Sequence, residues 1–358
     1  MSKFSETKFG KFLKKQDIVF SPKRYFIDAL GAMAQGLFAS LLIGTIIKTI
    51  GEQAGVELLV TIGGYASAVM GPAMAIAIGR ALNAPPLVLF SMAAVGWAAS
   101  ECGGAGGPLA VFFIAIIACE LGKLVSKTTP IDIIVTPLVS ILSGGLLSVF
   151  AAPYIGKAAS AVGNAIMWAT ELQPFLMGIL VSVIVGIALT LPISSAAICA
   201  ALGLTGLAGG AALAGCCANM VGFAIASFRE NKWGGLVAQG IGTSMLQMGN
   251  IVKNPRIWIP AIAASVVNGP IATCLFKLQM NGAPVSSGMG TCGVVGQIGV
   301  YTGWVSDIAA GVKTGITAID WIGLILVSFI IPAVIAWLVS VLLRKINWIK
   351  EGDMKLEV

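Results

Sequence analysis

The chain has 358 residues, of which 57% are hydrophobic and only 10% charged, with a mean hydropathy of +0.95 and a net charge of +7. A soluble domain carries about 25% charged residues, so this composition excludes a water-soluble enzyme or binding module and requires a chain that crosses a membrane repeatedly. Histidine is absent, which removes the commonest metal ligand and the commonest proton relay at neutral pH.

Residues 1–28 form a basic tail. Within it, "KFGKFLKKQDIVF" places Phe9, Phe12, Leu13 and Gln16 on one helical face among lysines. That pattern predicts an amphipathic helix at the membrane surface. Lys3, Lys8, Lys11, Lys14, Lys15, Lys23 and Arg24 precede the first apolar span, and Arg344, Lys345, Lys350 and Lys355 follow the last. The positive-inside rule then places both termini in the cytoplasm, with the chain crossing the cell membrane between them. The positive balance is a topology signal and a contact with membrane lipids; no nucleic-acid partner is expected. No cleavable leader is expected either, because the first apolar run starts late.

Apolar windows long enough to span a bilayer cover 29–50, 58–79, 131–152, 174–191, 257–275 and 319–343. Between Arg80 and Lys123 lie about 40 mostly apolar residues, too many for one crossing. "SECGGAGGPLA", residues 100–110, is the only place to turn. So 86–100 and 108–122 should form a hairpin with Glu101 at its bend. That carboxylate is a candidate solute ligand or coupling group, weighed against a plain acid in an outer turn. Glu120 and Lys123, three apart, are expected to pair or to reach the interface. Residues 29–153 thus read as a first membrane half. Residues 154–173 read as an amphipathic linker along the surface, 174–343 as a second membrane half and 344–358 as a tail. The fold expected is an all-α polytopic membrane protein of about 10 membrane segments, re-entrant hairpins included.

From Pro174 the character changes. Glycine, proline, serine and asparagine enter the apolar runs "LPISSAAICAALGLTGLAGGAALAGCCANMVG", "GIGTSMLQMGNIVKNP" and "MNGAPVSSGMGTCGVVGQIG". Broken backbone is tolerated at membrane depth only where protein or a water-filled cavity satisfies it. The segment 234–252 is therefore expected to be re-entrant. Pro192-Ile193-Ser194-Ser195 and Pro284-Val285-Ser286-Ser287 share the pattern P-x-S-S, 92 positions apart. Proline ends the preceding helix and serine caps the next, so two half-helix N-termini are expected to offer N–H groups to an anion or a polyhydroxylated solute. Paired breaks of this kind point to a transporter site; close helix packing through small residues is the alternative. Asn219, Gln247, Asn250, Asn281, Thr291 and Gln297 add amides and a hydroxyl to the same stretches. About half of them should only satisfy broken backbone. Asp307 is an open case. Seven cysteines without a CxxC pair read as free buried thiols, and no cofactor or metal is expected.

"LPISSAAICAALGL" and "NGAPVSSGMGTCGVVGQIG", with the two-half arrangement, resemble the membrane-spanning IIC component of the bacterial sugar phosphotransferase system. The resemblance is closest to the IIC-like branch that includes the perfringolysin O regulator. It implies a homodimer whose first half dimerises and whose second half moves the substrate, working with cytoplasmic IIA and IIB proteins. Sugar IIC proteins typically carry a glutamate before the proline of the second hairpin; here Ala283 precedes Pro284. The histidine often found in their sugar site is missing, and the two tails are too short to fold as IIA or IIB domains. The function expected is a transporter of a small polar or anionic solute, moved by an elevator-like displacement without phosphorylation by its own chain. The alternatives are a sugar IIC with separate IIA and IIB proteins, or a membrane sensor regulating gene expression.

Overall fold

The computed structural model describes residues 8–356 of the chain. The extreme termini, and the side chain of Phe9 on the expected amphipathic face, lie outside the described residues. The described residues are mostly helical. The only β pairing among the described residues is one antiparallel bridge between Gly206 and Met280.

In chain order the helices are α1 (Lys8–Lys15), α2 (Arg24–Ala54), α3 (Glu57–Ala68), α4 (Met70–Ala81), α5 (Pro86–Gly103) and α6 (Gly107–Val125). Then come α7 (Asp132–Phe150), α8 (Ala152–Thr170), α9 (Pro174–Thr190), α10 (Ser195–Ala201), α11 (Gly206–Ala226) and α12 (Phe228–Val237). The last are α13 (Met248–Lys253), α14 (Pro255–Leu275), α15 (Val295–Ala309) and α16 (Ala318–Lys345). Six helical stretches among the described residues are long and apolar enough to cross a membrane, or seven if α3 and α4 count as one broken span. The sequence predicts a single span over 58–79. The structure interrupts it at Val69, because Pro72 has no N–H to give to the preceding turn.

The helices fall into two compact units, divided at Leu41/Leu42, Gly64/Tyr65 and Lys157/Ala158. In the first unit the expected glycine hairpin is present. Helix α5 ends at Gly103, Gly104 takes a left-handed φ of +51°, and Pro108 sits in the first turn of α6, where its missing N–H costs nothing. Helix α1 forms, but its apolar face is covered by protein. Leu13 and Ile18 are buried, and the Gln16 amide donates to the Ser126 carbonyl at 3.0 Å. Arg24 pairs with Asp17 at 2.6 Å. Lys123, 1% exposed, donates to the carbonyls of Asp17 and Leu82, both at 2.8 Å, and pairs with Glu120 at 3.3 Å. The Glu120–Lys123 spacing in the sequence thus yields a true pair, and it anchors the end of the tail.

In the second unit α11 is the central helix, with 89% of its apolar window buried. Small residues let its neighbours approach at backbone distance: a Cβ added at Gly215 would collide with the Ser182 carbonyl of α9. Helix α16 begins with a capping box, the Thr317 hydroxyl accepting from the Asp320 N–H and the Asp320 carboxylate accepting from the Thr317 N–H. Beyond α16 the chain doubles back as a strap over 346–356, with Ile349 and Met354 buried.

Candidate functional site

Three broken segments of the second unit converge. The first follows α9. Leu191 is extended, Ser194 takes a non-helical conformation, and its hydroxyl oxygen accepts from the Ala197 N–H at 3.2 Å, capping α10. The second runs from α12 through a π-helical turn at Ala238–Gly242 to an extended Thr243 and a short return over Ser244–Gln247. The segment 234–252 is thus a broken helix with an extended residue between its two parts. The third follows the Gly206–Met280 bridge. Pro284–Gly288 forms one 3-10 turn, Gly293 and Val294 are left-handed, and α15 starts only at Val295.

Three side-chain bonds tie the segments together. Ser195 Oγ donates to the Gly288 carbonyl at 2.8 Å across 93 positions. Thr190 Oγ1 and Ser244 Oγ share a bond of 2.8 Å, and Thr291 Oγ1 donates to the Gly240 carbonyl. A Cβ added at Gly288 would lie 2.6 Å from the Ser195 carbonyl oxygen, so only glycine allows this approach. The first P-x-S-S motif therefore touches the residue that directly follows the second. The second differs from the prediction in its local form. Serine caps no α-helix there: the turn is 3-10 with Ala283 at its start, and the Ser287 hydroxyl donates back to the Pro284 carbonyl at 2.7 Å. With Pro284 at the start and glycines at 288 and 290, the run is too short and too flexible to nucleate an α-helix.

Behind the junction lies a buried polar seam. Asn219, fully buried, accepts from Thr190 at 3.1 Å and from the Trp258 indole at 3.0 Å, and donates to the Gly215 carbonyl and to Ser265 Oγ. Thr190, Ser244, Trp258 and Ser265 were not singled out in the sequence. The only signal was that Thr190 directly precedes the first break and Ser244 stands within the second. Gln297, in the first turn of α15, donates to Ser328 Oγ at 2.9 Å, and its carbonyl oxygen has no donor among the described residues.

The remaining candidates lie elsewhere. Gln247 donates to the carbonyl of Met354, and Asn250 to that of Lys355, each at 2.9 Å. Both amides thus hold the C-terminal strap. Asn281 accepts from the Gly206 N–H and donates to Asp307 at 2.8 Å, closing the loop at the bridge. Glu101 belongs to the other unit, where it is exposed in the last turn of α5. Ala283, in the place of the acid, is exposed. Among the described residues no cluster of cysteine and acidic side chains could hold a metal ion.

No curated protein and no solved structure matches the chain. The family model described as "Phosphotransferase system, EIIC" matches residues 27–356, which takes in most of both units and all three broken segments. The chain therefore belongs to the phosphotransferase-system EIIC family, and it is a multi-pass membrane permease of that type.

Proposed function

We propose that the second unit binds a small polar solute, a sugar or an organic anion, where the three broken segments meet, and that the chain carries it across the membrane without phosphorylating it. The observation that carries this reading is the Ser195–Gly288 bond, which joins two proline breaks far apart in sequence. Broken helices at membrane depth leave backbone groups that protein or solute must satisfy, and paired breaks are the usual form of a transporter site. The hydroxyls of Ser194, Ser195, Ser286, Ser287 and Thr291, the seam at Asn219 and the unpaired carbonyl oxygen of Gln297 suit exchange with solute hydroxyl or carboxylate groups. An elevator-like step would move these segments together, since their hydrogen bonds run among themselves.

Histidine is absent, and no carboxylate stands before Pro284. The chain on this reading supplies passage and selectivity but no phosphoryl chemistry. A second reading, a sugar IIC served by separate IIA and IIB proteins, is favoured by the family match itself. Homodimerisation through the first unit is part of the same proposal and rests on the family alone.

The test is solute binding by purified variants. Ser195→Ala and Ser286→Ala each remove a hydroxyl whose hydrogen bond has a net worth of about 0.5–1.5 kcal/mol, or roughly a two- to twelvefold loss of affinity. Ser143→Ala, in the first unit, should leave affinity unchanged. Unaltered binding in both junction variants would refute the site.

A further inference from the structure

A separate pocket of about 220 Å³ lies between the ends of α11 and α16, lined by Ile225, Phe228, Arg229, Trp337, Ser340 and Arg344 among others. Its lining combines apolar and aromatic side chains with two arginines. Arg344 is partly committed: it donates to the Glu230 carboxylate at 2.8 Å and to the Ala226 carbonyl at 3.2 Å. Arg229 is exposed and makes no ion pair among the described residues. Ser340 is only 3% exposed, yet its hydroxyl makes no hydrogen bond among the described residues. It lines the pocket, one turn before Arg344.

The charges decide what fits. Two arginines and the Glu230 carboxylate leave one net positive charge, the complement of a single phosphodiester. Trp337 is half exposed near the C-terminal end of α16, and an indole suits the boundary between headgroups and acyl chains. Lys345 follows at the same helix end, which marks it as the basic side of the membrane. Basic pockets between spanning helices on that side are suited to anionic headgroups.

We propose that this pocket binds the headgroup of an anionic glycerophospholipid. Arg229 and the free edge of Arg344 hold the phosphodiester, Ser340 donates to it, and the Phe228 and Trp337 rings cover the glycerol and the first acyl carbons. The site is independent of the solute junction, and its occupancy does not depend on what the permease carries.

Native mass spectrometry of the full chain, released from nanodiscs of mixed phosphatidylglycerol and phosphatidylcholine, reads the occupancy directly. The wild-type protein should retain phosphatidylglycerol in preference to phosphatidylcholine. Arg229→Gln should weaken that retention about tenfold, since a charge-assisted bond is lost, whereas Lys345→Gln should change it less than twofold. Ser340→Leu fills the pocket without altering charge and should act like Arg229→Gln; thermal unfolding checks that each variant is folded, and where one does not fold the other decides. Equal small losses in Arg229→Gln and Lys345→Gln would mean diffuse surface attraction and would overturn the proposal. So would inorganic phosphate displacing the lipid at comparable concentration, because the ligand would then be the free ion. Retention of phosphatidylglycerol in Ser340→Leu would place the lipid elsewhere and overturn it as well.

Discussion

Lys123 shows how one residue holds a whole segment. Its ammonium is buried, and two carbonyls and the Glu120 carboxylate take up its hydrogen-bonding capacity. Replacing it with methionine leaves Glu120 as a buried charge without its cation, a change that costs about 3–5 kcal/mol. Thermal unfolding of Lys123→Met should show a clear loss of stability. The double variant Lys123→Met/Glu120→Gln should recover much of it, because no lone charge then remains. Where the broken segments meet, the P-x-S-S repeat was legible because proline and serine act on their own local backbone. Thr190, Ser265 and Trp258 were not, since they meet Asn219 only when α9, α11 and α14 pack. Gln247 and Asn250 looked like ligands for the opposite reason: nothing in their own segment reveals that carbonyls from the C-terminal strap fill their donors.

Two elements outside the spans are held by hydrogen bonds that can be cut separately. The strap accepts from Asn231, Gln247, Asn250 and Asn254, so it ties together the whole segment from α12 to the start of α14. Truncation after Ile346 removes these bonds, each worth about 0.5–1.5 kcal/mol net. Hydrogen exchange should then speed up over 228–254 and stay unchanged in α5 and α6. Exchange that stays slow over 228–254 would show that the hairpin stands without the strap. At the other end, the hydrogen bond from Arg24 holds the Asp17 carboxyl below the usual carboxylate range. A depressed folded value means that Asp17 stabilises the docked tail above its unfolded pKa of about 3.9, and that this is lost as pH falls through the lower folded value. Exchange at residues 11–18 should therefore remain slow at pH 5 and rise below about pH 4. Asp17→Asn should raise it at both. The docking itself was only half legible: the spacing of Phe12, Leu13 and Gln16 announced an amphipathic helix, but not that protein would cover its face.

For the whole molecule, composition settled the class, and the apolar windows located most spans to within a few residues. The partition differs from the expected one: the sequence groups residues 42–64 with the first half at 29–153, whereas they cluster with the second unit. Such long-range pairing depends on side chains that are interchangeable in a hydropathy count. Counterflow into proteoliposomes that contain this protein alone tests the passage of an unmodified solute through the second unit. A panel of radiolabelled sugars and small organic anions serves as the probe. The prediction is that at least one exchanges with no phosphoryl donor present, is recovered unphosphorylated, and loses its exchange in Ser195→Ala/Ser286→Ala. Uptake that appears only when a IIB protein and a phosphoryl donor are supplied, with phosphorylated product inside, would contradict it.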